Sequence, residues 1–178
     1  GGRPGHMRYG VPTSGAMDRL SFTAANMALG NAPGHTGIEV SLGGIVLTCK
    51  SGAVSVAVTG GAFSMDHAGA KLGSWCILTM RAGDRLTLRA GPSGCVAYLA
   101  FAGDLQCDTW LDSAATHSTS GFGGGAVLSG QVLHLTNTSE RLDREGDIPR
   151  PSFERDGPID VVMGPQDHLF KADAVEEL

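Results

Sequence analysis

Short segments of alternating apolar and polar residues dominate the chain, and they predict β-strands. Residues 38–42 alternate before Gly43–Gly44, and apolar residues resume at Ile45, a pattern typical of a hairpin. The same alternation predicts further strands, bounded by glycine-containing turns: Val54 to Val58, Leu86 to Leu88 and Leu128 to Leu135. Residues 95–102 are apolar on both faces, as expected of a central strand. The pattern therefore favours a mainly β sandwich or barrel.

One helix interrupts these strands near the start of the chain. Asp18 is of a type that caps helices, and Gly30–Asn31 supplies the left-handed stop that helices favour. The apolar residues between them recur at helical spacing and predict one buried stripe: Leu20, Ala24, Met27 and Ala28. We expect this helix to lie at the periphery of the β fold.

The polar segment 137–158 differs from everything before it. It contains three prolines and lacks an apolar period, so it is interpreted as a linker. Residues 1–136 then form one subdomain, and residues 159–178, which begin with the apolar run 159–163, begin a second and incomplete one. Because the sequence begins and ends abruptly, we expect it to be a piece of a longer polypeptide.

Composition excludes several classes of protein. With 13 Lys+Arg against 18 Asp+Glu, the net charge of −5 argues against a nucleic-acid partner. No apolar run is long enough for a membrane span. The 27 glycines fit many tight turns. Four cysteines without a CxxC pair are interpreted as small buried hydrophobes in a reducing compartment, and we expect a cytoplasmic protein.

Four polar residues near the start of the chain are candidates for substrate binding. Arg3, in a Gly-Arg-Pro-Gly turn, offers a planar fork for a carboxylate or phosphate, although a structural salt bridge would explain it equally well. Ser14 and Asp18 lie at a helix entry, where capping alone accounts for both and anion binding is the alternative. The amide of Asn26 suits a planar polar substrate. Glu39 should point outward or into a cavity.

Two later segments complete the candidate chemistry. Residues 121–125 are a bent loop or a place where backbone N–H groups approach a ligand closely. Gln166 and Asp167 follow a predicted strand end, where polar function concentrates, although a plain turn is the alternative. We expect the segments Gly2–Gly5, Ser14–Asp18 and Gly164–Asp167 to meet in one concave polar pocket that binds the substrate. The histidines have no zincin spacing, no phosphate-binding loop is present, and no metal site is expected.

Several blocks of sequence occur together in one order, and they are specific enough to name a family. They are Gly2-Arg3-Pro4-Gly5, Gly10 to Asp18, Leu29-Gly30-Asn31, Leu42-Gly43-Gly44, Ala82-Gly83-Asp84, Gly121 to Gly124 and Gly164 to Asp167. Over essentially its whole length the chain resembles allophanate hydrolase subunit 2, also called the biotin-dependent carboxyltransferase-like family or the C subunit of 5-oxoprolinase. It is also similar to the second part of the carboxyltransferase domain of urea carboxylase.

The resemblance implies a cyclophilin-like β-barrel with a peripheral helix, followed by the start of a second, truncated subdomain of the same kind. It implies a homologous partner, subunit 1 (the B subunit of 5-oxoprolinase), and a small polar amide or lactam substrate. The corresponding activity is that of a subunit of an ATP-dependent 5-oxoprolinase or of an allophanate or urea-type hydrolase-carboxyltransferase. No biotin-attachment sequence is present, so no covalent cofactor is expected, and ATP or carboxybiotin would be supplied with a partner chain.

Two departures from the family pattern leave the substrate open. Ala114 stands where the family usually has arginine, and Asp104 stands where it usually has glycine. The alternative function is a non-catalytic regulatory protein that antagonises a histidine-kinase inhibitor, which some relatives are described to be. Because no nucleophile and base are paired in the sequence, the catalytic residues stay unassigned.

Overall fold

The computed structural model describes residues 2–152, 157–158, 160–171 and 173–174, which are mainly β-structure with one α-helix. The helix, α1, spans Arg19–Leu29. The strands are β1 (Gly37–Ser41), β2 (Ile45–Thr48), β3 (Ala53–Gly60), β4 (Ser64–His67), β5 (Ala70–Gly73), β6 (Cys76–Arg81), β7 (Arg85–Arg89), β8 (Val96–Phe101), β9 (Asp104–Leu105), β10 (Leu135–Thr136) and β11 (Gly146–Asp147). Single 3-10 turns lie at Met7–Tyr9, Leu142–Arg144 and Asp167–Leu169.

Two antiparallel sheets enclose the main core. The five-stranded sheet has the order β1-β8-β3-β6-β11, and the four-stranded sheet has the order β2-β7-β4-β5. Alternate residues of the five-stranded sheet, such as Val56, Leu78 and Leu99, share one buried cluster with Met65 and Leu88 of the other sheet. Because side chains alternate across a strand, the remaining residues of the larger sheet point to its opposite face.

That opposite face carries α1. Ala25 and Leu29 of the helix pack with Ala57, Ile77 and Ala100 of the sheet. The interior strand β8, which lies between β1 and β3, is thereby covered on both faces, as predicted from residues 95–102.

The caps of α1 are as predicted, but its buried face is not. The side chain of Asp18 accepts a hydrogen bond from the Ser21 backbone N–H, and Gly30 takes the left-handed conformation. The predicted stripe is wrong in its larger members, since Leu20 and Met27 are more than half exposed. The face turned to the sheet consists of small and polar residues together with one leucine: Ser21, Ala25, Asn26 and Leu29. Small residues fit because the sheet beneath them also presents alanines, so hydrophobic periodicity alone did not identify the contact.

The predicted hairpin at Gly43–Gly44 is also wrong. The turn forms, with the Gly44 N–H donating to the Ser41 carbonyl. However, β1 pairs with β8 and β2 pairs with β7, so the two strands lie in different sheets. A Cβ at Gly44, where φ is +72°, would overlap the carbonyl of Leu88, and glycine therefore permits the crossing between sheets.

The strand predicted to end at Leu135 is much shorter than expected. Only its last residue, Leu135, joins with Thr136 to form a strand, β10, which pairs with β9, and Val132 is largely exposed. Alternation of apolar and polar residues is present in this stretch, but Gln131 to Leu133 pair with no strand among the described residues.

The first half of the segment interpreted as a linker packs against the body of the protein. β11 pairs with β6, and Ile148 is buried beside Trp75. The Ser139 backbone also bonds to the Ser55 N–H and the Ala102 carbonyl. Residues 139–148 therefore pack along the five-stranded sheet and are hydrogen-bonded to it. The division of the chain into two subdomains stays a prediction, and the described residues 160–163 are exposed and form no strand.

The cysteines are free thiols, as expected, but not all are buried. Cys76 is buried and Cys49 is half-buried, whereas Cys95 and Cys107 are exposed. No helix in the described ranges has the length and apolar character needed to cross a membrane.

Candidate functional site

Arg3 is a buried cation with an unusual environment. Its side chain is 2% exposed, its Nε donates to the Trp110 carbonyl at 3.3 Å, and its Nη2 donates to the Ala115 carbonyl. The guanidinium carbon lies 4.8 Å from the centre of the Trp110 ring, a cation–π contact. Nη1 is buried and has no hydrogen-bond partner among the described residues. Arg3 is also without an ion-pair partner in that part of the chain, so the salt bridge weighed from the sequence is not formed there.

The glycine-rich loop lies directly against this guanidinium. A Cβ on Gly123, where φ is +92°, would come within 3.3 Å of Arg3 Nη2 and would overlap the Ala115 carbonyl. Glycine is therefore required for the loop to approach the arginine so closely. The Gly124 N–H donates to the carbonyl of Ala114, and this bond fixes the loop on that side.

Trp110 is the centre of an aromatic cluster beside Arg3. Its ring lies 4.9 Å from that of Phe122 and 5.8 Å from that of His117. His117 Nδ1 is 2.6 Å from the hydroxyl oxygen of Ser120, so this imidazole is oriented by a hydroxyl group.

An open depression of about 540 Å³ borders the cluster. It is lined by Cys107, Asp108, Thr109, Trp110, Gly121, Phe122 and Gly123. Burial, aided by the charge of Asp108, raises the pKa of the Cys107 thiol. Because the thiolate is the nucleophilic form, Cys107 is poorly suited to nucleophilic catalysis at neutral pH.

The segment containing Ser14 and Asp18 lies beside the Arg3 backbone. The Arg3 N–H donates to the Thr13 carbonyl at 2.7 Å, and a Cβ on Gly2 would meet the Ser14 carbonyl at 2.9 Å. Ser14 itself has a φ of +53°, in the left-handed region. The first two segments of the predicted site are thus adjacent, although Asp18 caps α1 with its carboxylate.

A second polar network holds the far end of that segment. The buried Tyr98 hydroxyl donates to Glu39 Oε2 at 2.8 Å and accepts from the Asp18 backbone N–H at 2.7 Å. The same Glu39 oxygen accepts from the Met17 N–H at 2.8 Å. Burial raises the pKa of Tyr98, so the phenol remains a protonated donor at neutral pH. Glu39, expected to face outward or into a cavity, is exposed and positions the helix entry.

Asn26 lies away from the surface and is fully engaged inside the protein. Its Nδ2 donates to the His35 carbonyl at 3.0 Å, and its Oδ1 accepts from Asn31 Nδ2 at 3.1 Å. It is 0% exposed. These contacts account for the asparagine without any substrate.

Gln166 is not joined to the other candidate residues by any hydrogen bond within the part of the chain that the structure describes. Gln166 is exposed, and between the described residues no hydrogen bond joins it to residues 2–18. Asp167 begins the last 3-10 turn, and its side chain lies outside the described part. The predicted meeting of Arg3, Ser14 and Gln166 in one pocket therefore stays a prediction as far as Gln166 and Asp167 are concerned. Within the described ranges, no three His, Cys, Asp or Glu side chains group as metal ligands would.

Sequence reasoning missed Trp110, Phe122 and His117 as neighbours of Arg3. Only 6% of the chain is aromatic, yet Trp110 and Phe122 both lie in one loop whose other residues are mostly small or polar. This concentration of aromatic residues in one loop was the sequence signal that could have identified them.

Comparison with known proteins places this architecture in a family. Residues 9–178 match the family described as carboxyltransferase domain, subdomain A and B. The chain belongs to that carboxyltransferase domain family. It is 34% identical to urea amidolyase of Saccharomyces cerevisiae, over 99% of this chain and 10% of that protein. It is 30% identical to the C subunit of 5-oxoprolinase from Escherichia coli, over 96% of this chain and 55% of that protein.

A solved structure agrees with this membership. The crystal structure of the K. lactis urea amidolyase covers 86% of this chain with a TM-score of 0.71 and 31% identity, through 9% of its own length. This carboxyltransferase-domain chain thus spans about a tenth of the urea amidolyases and about half of the E. coli 5-oxoprolinase component that it matches. The resemblance inferred from the sequence blocks is confirmed, and the relatives named are enzymes or components of enzymes.

Proposed function

We propose that this carboxyltransferase-domain chain contributes the binding site for a small polar amide or lactam to an ATP-dependent enzyme. The reaction is either the ring opening of 5-oxoproline or a urea- or allophanate-type carboxyl transfer or hydrolysis. The chain acts in the cytoplasm beside a homologous subunit 1, the counterpart of the 5-oxoprolinase B subunit, which supplies the remaining catalytic groups together with ATP or carboxybiotin.

One observation in the structure carries the proposal. Arg3 is buried, charged and stacked on Trp110, yet its Nη1 has no partner among the described residues. Guanidinium groups bind planar oxygen acceptors in pairs of parallel hydrogen bonds, and carboxyl and amide oxygens are acceptors of this kind. The open depression is lined by Trp110 and Gly123, which both lie against the Arg3 side chain, and it provides space for a small molecule beside these two residues.

The family supports the same conclusion independently. Urea amidolyase and the C subunit of 5-oxoprolinase carry names of amide- and lactam-processing enzymes. A substrate of that class has a planar amide whose oxygen accepts hydrogen bonds and whose nitrogen donates them. Arg3 supplies donors, and Asp108, at the edge of the depression, supplies an acceptor.

The test is an activity measurement on the full-length protein assembled with its homologous partner. Two reactions are compared: ATP-dependent hydrolysis of 5-oxoproline and carboxylation of urea in the presence of a biotinylated partner. Arg3→Lys should reduce the active reaction by about 10-fold or more, because lysine keeps the charge and loses the planar fork. Arg81→Lys, which changes a surface arginine paired with Glu140, is the matched control and should leave the rate unchanged. An unchanged rate for Arg3→Lys would contradict the proposal.

A further inference from the structure

We propose that His35, Asp104 and Asn137 form a clasp that limits how often the site loop opens at its base. The site loop is defined as residues 106–134, which join β9 to β10 and carry the aromatic cluster beside Arg3. The clasp acts on the motion of this loop, whichever ligand or reaction the site serves, so it is tested separately from the function proposed above.

The site loop is weakly packed against the rest of the protein. Among residues 106–134, all of which the structure describes, only Ser113 is buried. Arg3 holds the middle of the loop through the carbonyls of Trp110 and Ala115. A hairpin connection usually has roughly two to five residues, so this one is unusually long. Segments with few buried contacts open locally at a lower free energy than the core, and contacts at the base of the loop therefore decide how often its two ends separate.

Asp104 and Asn137 join the two ends of the site loop. Asp104 faces Thr136 across the β9–β10 pair. Asn137, the residue after Thr136, donates from Nδ2 to Asp104 Oδ2 at 2.6 Å. A Cβ on Gly103 would lie 3.0 Å from the Thr136 carbonyl oxygen, so glycine there allows the two ends to approach this closely. The carboxylate of Asp104 therefore links one end of the loop to the other.

His35 ties this base to a different part of the chain. Its Nε2 lies 3.3 Å from Asp104 Oδ1 and 3.1 Å from the Gly103 carbonyl oxygen. Both neighbouring oxygens are acceptors, so Nε2 is the ring nitrogen that carries a proton and donates. Asp104 is thereby held through both of its carboxylate oxygens, by His35 on one side and by Asn137 on the other.

His35 is itself fixed by the hydrogen bonds at the end of α1. Its carbonyl accepts from Asn26 Nδ2 at 3.0 Å, and its N–H donates to the Ala32 carbonyl at 3.0 Å. Asn31 Nδ2 donates to the Phe101 carbonyl at the end of β8, which fastens the same segment to the five-stranded sheet. The clasp therefore joins a weakly packed loop to a well-fixed part of the protein. Its loss should free the ends of the loop while the core stays folded.

Backbone hydrogen exchange of the full-length protein measures this opening. The reporter is the Gln106 N–H, which donates to the His134 carbonyl at the base of the loop. Asp104→Ala removes both contacts of the carboxylate and should accelerate exchange at Gln106 by about 5-fold or more, with no change in α1 and β8. Asp104→Asn can make the same two hydrogen bonds and should keep exchange within about 2-fold of the unaltered protein. Asp143→Ala, which removes an exposed carboxylate elsewhere, is the control and should leave exchange at Gln106 unchanged.

Three results would overturn the proposal. Unchanged exchange at Gln106 in Asp104→Ala would show that the carboxylate does not hold the base of the loop. Equal acceleration in α1 and β8 would show that Asp104 supports the whole fold and not the loop alone. Exchange in Asp104→Asn as fast as in Asp104→Ala would show that the two hydrogen bonds are not the cause.

A variant at the other end of the loop tests whether Asn137 and Asp104 act together. Asn137 has a φ of +50°, so Asn137→Gly removes the amide and keeps a backbone that glycine adopts freely. On its own it should accelerate exchange at Gln106 by about 3-fold, and in the Asp104→Ala background it should add almost nothing, because its partner is already absent. The same acceleration in both backgrounds would overturn the clasp. If Asp104→Ala fails to fold, Asn137→Gly alone decides, and unchanged exchange in that variant would overturn the proposal.

Discussion

Two buried polar side chains of this protein, Asn26 and Arg3, have opposite hydrogen-bonding environments. Asn26 is 0% exposed, and its amide is bonded to the carbonyl of His35 and to Asn31. Arg3 is 2% exposed, carries a full charge and leaves Nη1 without a partner among the described residues. Buried polar groups in proteins are almost always satisfied, so Asn26 follows the rule and Arg3 departs from it. Because of this difference, Arg3 and not Asn26 is the residue to which we assign ligand binding in the proposed function.

The surroundings of the two residues repeat the same contrast. Near α1 the polar groups pair internally, as where the Thr59 hydroxyl donates to the Ser21 carbonyl and the Ser55 and Thr79 hydroxyls bond to each other. Around Arg3 the neighbours are an open depression and a loop rich in glycine. The polar groups of the helix–sheet contact are thus paired with one another, whereas Arg3 Nη1 has no partner among the described residues.

The largest loss of stability is expected at Asn26, whose hydrogen bonds are all made inside the protein. Asn26→Leu leaves the His35 carbonyl and the Asn31 amide without their buried partner, and it should lower the free energy of unfolding by about 3 kcal/mol. Urea denaturation followed by circular dichroism measures this. Thr23→Ala, elsewhere on the same helix, should change stability by less than about 0.5 kcal/mol. A loss below about 1 kcal/mol for Asn26→Leu would mean that the amide network is dispensable.

The next largest effect is expected in the glycine-rich loop that lies against Arg3. Gly123→Ala adds a Cβ at a φ of +92° that would overlap the Ala115 carbonyl, and it should cost about 2 kcal/mol of stability. Gly43→Ala is the control, because a Cβ there meets no atom within 4 Å and its φ is not positive. Thermal denaturation of both variants gives the comparison. Equal melting temperatures would show that the loop does not need glycine at position 123.

A smaller effect is expected at the helix entry. Tyr98→Phe removes the acceptor for the Asp18 N–H and one donor to Glu39, and it should lower stability by about 1 kcal/mol. Burial holds the pKa of Tyr98 above its usual value, so the phenol stays protonated and the loss should be the same at pH 6 and pH 9. Tyr9→Phe, at an exposed tyrosine, is the control. A loss that disappears at pH 9 would indicate that Tyr98 ionises there.

The smallest effect on stability is expected at Arg3 itself, and it gives the sharpest test of the comparison. Arg3→Met removes two hydrogen bonds and a cation–π contact, but it also removes a buried charge that has no counterion among the described residues. These terms oppose each other, so the free energy of unfolding should change by less than about 1 kcal/mol. A loss as large as that of Asn26→Leu, measured by the same denaturation experiment, would show that Arg3 is structural.

Local signals in the sequence predicted the parts of the fold that depend on local chemistry. Asp18 and Gly30 mark the ends of α1, and the apolar run of residues 95–102 contains the interior strand β8, which is covered on both faces. The partner of each strand depends on contacts between distant residues, so the turn at Gly43–Gly44 could be predicted while the pairing of β2 could not. The local sequence also could not tell that Asn26 has its hydrogen-bond partners inside the protein and that Arg3 Nη1 has none among the described residues, because these partners come from tertiary contacts.

The candidate site was predictable in part for the same reason. The Gly-Arg-Pro-Gly turn singled out Arg3, and the entry of α1 singled out Ser14 and Asp18, which lie on the neighbouring segment. Trp110 comes from a loop more than a hundred residues away from Arg3 in sequence, and no local pattern links the two.

The strand order of the five-stranded sheet has a consequence for synthesis of the chain. β8 lies between β1 and β3, so neither of these earlier strands acquires its full set of neighbours until Phe101 has left the ribosome. α1 packs on both β3 and β8, so part of the helix–sheet contact of Ala25 and Leu29 also forms only after β8. Pairings between distant strands form slowly because a long loop must close first. The segment from α1 to β7 therefore emerges with apolar surface that a chaperone can recognise, and part of that surface is covered only when β8 pairs.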